Sequence, residues 1–222
     1  MWKNPPPAER ASIVVCLEGP SAVGKTTLAG ALARECGAVV VPELDASGAP
    51  PPGSSASWFV GRHAAQWRLA REMTARAPFS VLDGDPFKGL WYNWVYAGEG
   101  WEGVEAVAPL YRAQVEAGAL AFPDLYVVLT AGEEQLWERR ARDPTRTRRN
   151  FEKHLRMAEP LLGYFRALRD AAPWCVAIVE TSPREELVGR VVEALERLQP
   201  GPPDSLRLLD HIAGWLRSQV VM

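Results

Sequence analysis

One octapeptide constrains this chain more than any other feature. Gly19-Pro20-Ser21-Ala22-Val23-Gly24-Lys25-Thr26 fits the spacing G-x-x-x-x-G-K-[ST]. It stands directly after an unbroken β-branched run, Ile13-Val14-Val15-Cys16-Leu17, and directly before a helical pattern that Gly37 stops. A run of that kind is expected of a parallel strand buried on both faces. Glycines at the two ends of the turn let the backbone curl until its N–H groups face inward, at the positive end of a helix dipole. Gly19, Ser21, Ala22, Val23, Gly24, Lys25, Thr26 and Thr27 are therefore expected to cradle the phosphates of a nucleotide. Lys25 supplies a point charge for the β- and γ-phosphates, and the Thr26 hydroxyl can ligate Mg2+.

The rest of the chain repeats the strand-then-helix rhythm. Further strands are expected at Ala38–Val41, Phe79–Leu82, Leu125–Leu129 and Trp174–Val179, with long helical patterns over 58–75, 103–121 and 133–142. Another helix is expected over 150–170, broken at Pro160, and Ser182-Pro183-Arg184-Glu185 has the spacing of a capping box opening one more. Residues 45–57, rich in Pro, Gly, Ser and Ala, form a loop. Strands alternating with helices give an α/β domain: a five-stranded parallel sheet between two helical layers, the three-layer P-loop NTPase architecture. The expected unit spans residues 1–200. After Pro200-Gly201-Pro202-Pro203 a last helix, within 201–222, either packs on that unit or contacts a second copy.

Composition excludes several classes of function. With 222 residues, 47% of them hydrophobic, and a net charge of -2, the chain is neither disordered nor attracted as a whole to nucleic acid or an anionic membrane. No run of 18 uncharged apolar residues is present, and the N-terminus does not read as a signal peptide. Three scattered cysteines, Cys16, Cys36 and Cys175, read as packed, reduced thiols, which suits a cytoplasmic location.

A guanine-reading N-K-x-D is absent, and so is the L-S-G-G-Q of transporter ATPases. A small kinase needs an arginine-bearing lid to neutralise the transferred phosphoryl group. Residues 139–149 meet that need: Arg139 and Arg142 share a helix face, Asp143-Pro144 ends the helix, and Arg146, Arg148 and Arg149 follow on a loop.

With these pieces placed, the chain resembles the deoxynucleoside kinase and thymidylate kinase branch of P-loop kinases. Glu18 through Thr27 is similar to their E-G-x-x-G-x-G-K-[ST]-[ST] opening. Val41-Pro42-Glu43 resembles the V-P-E that ends their second strand, Trp58-Phe59 the head of the helix lining their acceptor pocket, and the arginine-rich segment their lid. The resemblance implies ATP and Mg2+ as cofactors, a nucleoside or nucleotide as phosphoryl acceptor, and Glu43 as base on the acceptor hydroxyl. Two departures stand out: Asp83-Gly84-Asp85 replaces their E-R-S or D-R-S, and His63 stands near the place of their base-reading glutamine. A weaker similarity, to chloramphenicol-type phosphotransferases, rests on the P-loop and the acidic end of the third strand.

Glu43 and Asp83 both end predicted parallel strands, at the edge where open α/β sheets bind ligands. An attacking hydroxyl must lose a proton and the metal needs an acidic partner, so Glu43 is assigned as base and Asp83 to Mg2+, while Asp85 could serve either role. His63 and Trp67, four apart on one helix, are expected to wall a planar acceptor together with Trp91, Tyr92 and Trp94. His154 and His211 are read as ordinary surface or core residues. A regulator that binds ATP without transferring it is the alternative from another class, and it needs no base.

Overall fold

The computed structural model of the protein describes residues 12–41, 55–143, 151–199 and 201–219. Five strands, β1 (Ile13–Glu18), β2 (Val39–Val41), β3 (Phe79–Asp83), β4 (Leu125–Thr130) and β5 (Val176–Glu180), form one sheet in the order β2-β3-β1-β4-β5. All four pairings are parallel, with Leu17 opposite Asp83 and Glu18 opposite Val128. The strands alternate with helices α1 (Lys25–Cys36), α2 (Ala56–Thr74), α3 (Lys88–Val95), α4 (Gly103–Glu116), α5 (Glu133–Arg142), α6 (Phe151–Arg156), α7 (Ala158–Ala171), α8 (Arg184–Glu196) and α9 (Ser205–Ser218). The expected α/β architecture is the observed one.

Side-chain alternation along β1 divides the core. Val14 and Cys16 face a cluster with Trp67, Leu90, Val107, Tyr111, Phe165 and Ile212, from α2, α3, α4, α7 and α9. Ile13, Val15 and Leu17 face the other side, where Leu28 and Leu32 of α1, Leu136 of α5 and Val191 of α8 meet them. Every β1 residue from Ile13 to Leu17 is buried, and burying each large apolar side chain contributes roughly 1.5–3 kcal/mol. Both faces covered is the condition that a continuous apolar strand anticipates.

Several boundaries differ from the sequence reading, each for a local reason. The helical stretch after residue 150 breaks at Met157, not at Pro160. Pro160 sits in the first turn of α7, where its missing N–H loses no partner. The capping box at 182–185 does not form: Pro183 is extended and is itself the N-cap of α8, and the Ser182 hydroxyl is buried without a hydrogen bond. Trp174 lies in a 3-10 turn, Pro173–Cys175, so β5 begins only at Val176. The helix expected to run to residue 121 stops at Glu116, ahead of Gly118 in the left-handed region.

The Asp204 carboxylate caps α9 by accepting the N–H of Arg207 at 3.1 Å. Leu208, Leu209, Ile212, Ala213 and Leu216 are buried, and α9 packs on α4 and α7 of its own unit. Among the described residues no helix is long and apolar enough to cross a membrane.

Candidate active site

The carboxyl ends of β1 and β3 lie side by side, and the candidate site is built on that edge. Gly19 (φ 139) and Gly24 (φ 111) take conformations open to glycine, and a Cβ on Gly19 would collide with the carbonyl oxygen of Leu129. Between them Ala22 holds φ 70, the one left-handed residue other than glycine among those described. The loop so formed delivers the chain into α1 at Lys25. The Lys25 ammonium donates to the carbonyls of Gly19 (2.7 Å) and Pro20 (3.3 Å). The Thr26 hydroxyl donates to Asp83 Oδ2 at 3.1 Å.

Above the loop is a cavity of about 650 Å3, lined by Ser21 to Leu28 and by Asp83, Arg139, Asp143, His154, Thr181 and Arg184. That volume suits a nucleotide-sized ligand. Arg139 is held over it by two donations, to the Val23 carbonyl (2.9 Å) and to the Thr181 hydroxyl (3.1 Å). Loop backbone, Lys25 and Arg139 make a cationic cradle. The hydroxyl of Thr26 and the carboxylate of Asp83 are hard oxygen donors side by side at its edge, the donor chemistry that Mg2+ takes.

A second chamber, about 130 Å3, continues past Lys25. Lys25, Asp83 and His154 line both spaces; Glu18, Lys88, Trp91 and Tyr92 are among the others that line the second. A third of similar size opens beyond Lys88 and Tyr92, walled by Phe59, Val60, His63, Trp101, Val107 and Tyr111. Glu102 Oε1 accepts the N–H of Ala56 at 2.6 Å, fixing the start of α2 beside α4, and the Glu102 N–H donates to Asn93 of α3 at 3.2 Å. Three spaces thus run in series from the phosphate loop to an apolar end.

Lys25, Thr26, Asp83 and Arg139 come together as expected, and Trp91 and His63 line the second and third chambers. Glu43 and Arg146 lie outside the described residues, as do Arg148 and Arg149; β2 ends at Val41, opposite Leu82. Arg142 points away, pairing with Glu138 at 3.2 Å on the surface. Arg140, between them in sequence, lies over the Trp137 and Phe151 rings.

Asp85 does not face the cleft. It is 1% exposed, and its oxygens accept from the Phe87 N–H (2.9 Å), Tyr126 Oη (2.7 Å) and Trp91 Nε1 (3.0 Å). Burial pushes its carboxyl up to about 7, against the pull of the Phe87 N–H and the Tyr126 hydroxyl. A carboxylate so enclosed anchors Trp91; it has no free oxygen for a metal or an acceptor proton. Trp67 is a core residue whose exposed edge borders a different hollow, between α2 and α4, and Trp94 packs on Trp215 of α9. Helical spacing put Trp67 on the face of His63, but that face turns from chamber to core over one turn.

Three contributors escaped the sequence reading. His154 of α6 stands over Lys25, half-buried, its imidazole held below the usual histidine value by burial and then by the Lys25 charge. Lys88, the first residue of α3, lines both inner chambers. Glu18 binds two loops through its backbone-facing oxygens. Only the position of Glu18 beside the glycine loop was a signal; His154 and Lys88 reach the site through packing that no local spacing encodes.

The sequence matches no protein-family model and no curated protein. Solved structures do share its fold. NadR, in a complex with NR, superposes with a TM-score of 0.57 at 20% identity over 89% of this chain. A deoxyadenosine kinase from M. mycoides with bound dATP gives 0.58 at 10% identity, over 83% of this chain and 100% of its own. Thymidylate kinase from Candida albicans gives 0.53 at 16% identity, over 83% of this chain and 91% of its own. The fold is that of P-loop nucleoside and nucleotide kinases. The chain spans about half the length of NadR, 54%.

Proposed function

We propose that this protein is an ATP-dependent kinase that transfers the γ-phosphoryl group to a small-molecule acceptor, a nucleoside or nucleotide. The observation that carries the reading is the series of chambers: a nucleotide-sized cationic cradle that opens, past Lys25, into a separate aromatic space. A binder of ATP alone has no use for the second space. The deoxyadenosine kinase that shares the fold was solved with dATP and NadR with NR, which supports a ligand of nucleoside or nucleotide class.

In this reading the phosphates lie on the loop from Gly19 to Thr27, where backbone N–H groups and Lys25 balance the β- and γ-charge. Arg139, fixed by Val23 and Thr181, stabilises charge on the phosphoryl group in flight, joined by Arg146 of the lid. Thr26 and Asp83 would hold Mg2+, which neutralises phosphate charge when bound. The acceptor oxygen attacks the γ-phosphorus, its proton passes to the carboxylate of Glu43, and ADP leaves.

A general base contributes roughly 10²–10⁴-fold in rate. Glu43→Gln keeps size and hydrogen bonding but cannot take the proton. Nucleotide affinity should hold while transfer to the acceptor falls by that factor. Lost ATP binding would assign Glu43 to the metal or to structure; unchanged turnover would remove it from the reaction.

A further inference from the structure

Three side chains line both the nucleotide cradle and the second chamber: Lys25, Asp83 and His154. A phosphoryl group moving from one space to the other passes between them. Lys25 donates to the carbonyls of Gly19 and Pro20, and Asp83 accepts the Thr26 hydroxyl. His154 makes no such contact: among the described residues neither of its ring nitrogens has a hydrogen-bond partner. Arg139 differs, because it lines the cradle alone and its donations to Val23 and Thr181 hold it on that side.

The short helix α6 gives His154 a fixed footing. At its start Phe151 is buried, packed edge-on against Trp137 with Arg140 over its ring. Lys153, next to the histidine, places its ammonium 3.7 Å from the centre of the Tyr96 ring and 5.6 Å from that of Trp101, which walls the third chamber. Met157, just past the end of the helix, is buried in the core. Both ends of α6 and its middle are thereby tied down, and a side chain carried on such an element is already in place when the reaction begins.

Burial first, and then the charge of Lys25, keep the imidazole from taking a second proton; Lys88 and Lys153 add to the effect and Glu18 opposes it. A neutral imidazole among ammonium groups is a poor base, but it retains one N–H donor. Charge that shifts during transfer lies on the oxygens of the phosphoryl group, and a donor already aimed at them lowers the barrier. We propose that His154 is a catalytic residue whose ring N–H donates to an oxygen of the phosphoryl group as it crosses from the nucleotide cradle to the acceptor chamber. The inference rests on the kinase reading and adds a residue to the same site. The N–H stays intact throughout: the acceptor oxygen bonds to phosphorus, the bond to ADP breaks, and the acceptor's proton goes to Glu43.

ADP with Mg2+ and aluminium fluoride imitates the phosphoryl group in flight and needs no acceptor, so calorimetric titration of the whole protein with that mixture tests the proposal. Wild type should bind the fluoride complex more tightly than ADP with Mg2+ alone. His154→Phe should bind ADP with Mg2+ as wild type does and lose roughly 10²-fold in affinity for the fluoride complex. His154→Asn and His154→Gln each keep an amide N–H, one at the reach of each ring nitrogen, and at least one of them should come within about tenfold of wild type. In nitrogen NMR of the wild type, the fluoride complex should move the His154 ring signals and ADP alone should not. An unchanged fluoride-complex affinity in His154→Phe, an equal loss for ADP and for the fluoride complex, no recovery by either amide, or ring signals that ignore the fluoride would each overturn the proposal. A wild-type protein that binds ADP and gains no affinity from the fluoride would instead overturn the kinase reading beneath it.

Discussion

Glu18 Oε2 accepts the backbone N–H of Asp85 at 2.9 Å and so ties the end of β1 to the turn after β3. The other oxygen of the same carboxylate accepts the N–H of Gly19, also at 2.9 Å. One buried side chain thereby fixes the start of the phosphate loop relative to the strand that carries Asp83, and with it the spacing of Thr26 and Asp83.

Glu18→Gln tests that tie. A carboxamide has only one acceptor, so its NH2 must face a backbone N–H, and a buried donor left unsatisfied costs about 1–3 kcal/mol. Thermal melting should fall by roughly 2–10 °C for a domain of this size, and nucleotide affinity should fall with it. An unchanged melting temperature would show that the two loops hold their places without Glu18.

Lys25→Ala separates stability from catalysis. Its ammonium holds two loop carbonyls, so the fold should lose about 1–3 kcal/mol and still form. Removing the loop's only side-chain cation should lower phosphoryl transfer at least roughly 10²-fold. Steady-state ATP turnover beside a thermal melt gives both numbers. Wild-type turnover in the variant would end the kinase reading.

Ala22 stands at φ 70, where an L-residue costs about 1–2 kcal/mol and glycine does not. The resemblance to E-G-x-x-G-x-G-K places a glycine at this position. Ala22→Gly should therefore stabilise the protein by about 1 kcal/mol, less the entropy of a freer unfolded chain, a rise of roughly 2–4 °C. A lower melting temperature would mean that the surrounding loop, rather than the residue, sets the conformation.

Two buried groups should make stability depend on pH in opposite directions. Asp85 titrates near 7 when folded, above its unfolded value of 3.8, so its contribution is complete below about 4 and is lost as pH rises through 7. His63 titrates near 3 when folded, below its unfolded 6.5, so its contribution is complete above about 6.5 and is lost as pH falls toward 3. The two offset each other between about 4 and 6.5. Melting temperatures across pH 4–8 should vary little there in the wild type, rise with pH in Asp85→Asn and fall with pH in His63→Leu. Parallel curves for the two variants would contradict the assignment.

The amino-acid sequence determined, by itself, whatever depends on near neighbours in the chain. The β-branched run, the glycines and Lys25-Thr26 are contiguous, so the strand, the phosphate loop and the start of α1 were legible, and strand–helix alternation was enough for the parallel sheet. The fate of residues a few positions apart was less so. Ser182 failed as a cap because Pro183 is extended and shifts the helix start by one, and Asp85, two residues after Asp83, turned into the core while Asp83 stayed at the edge. Only the tertiary structure decided the inner chambers. Glu18, Lys88, His154, His63 and Tyr111 come from β1 and four different helices, and they meet because both faces of the sheet must be covered. That packing chooses which turn of α2 faces the chamber, at His63, and which faces the core, at Trp67, and period 3.6 alone cannot distinguish a helix face that lines a cavity from one that fills it.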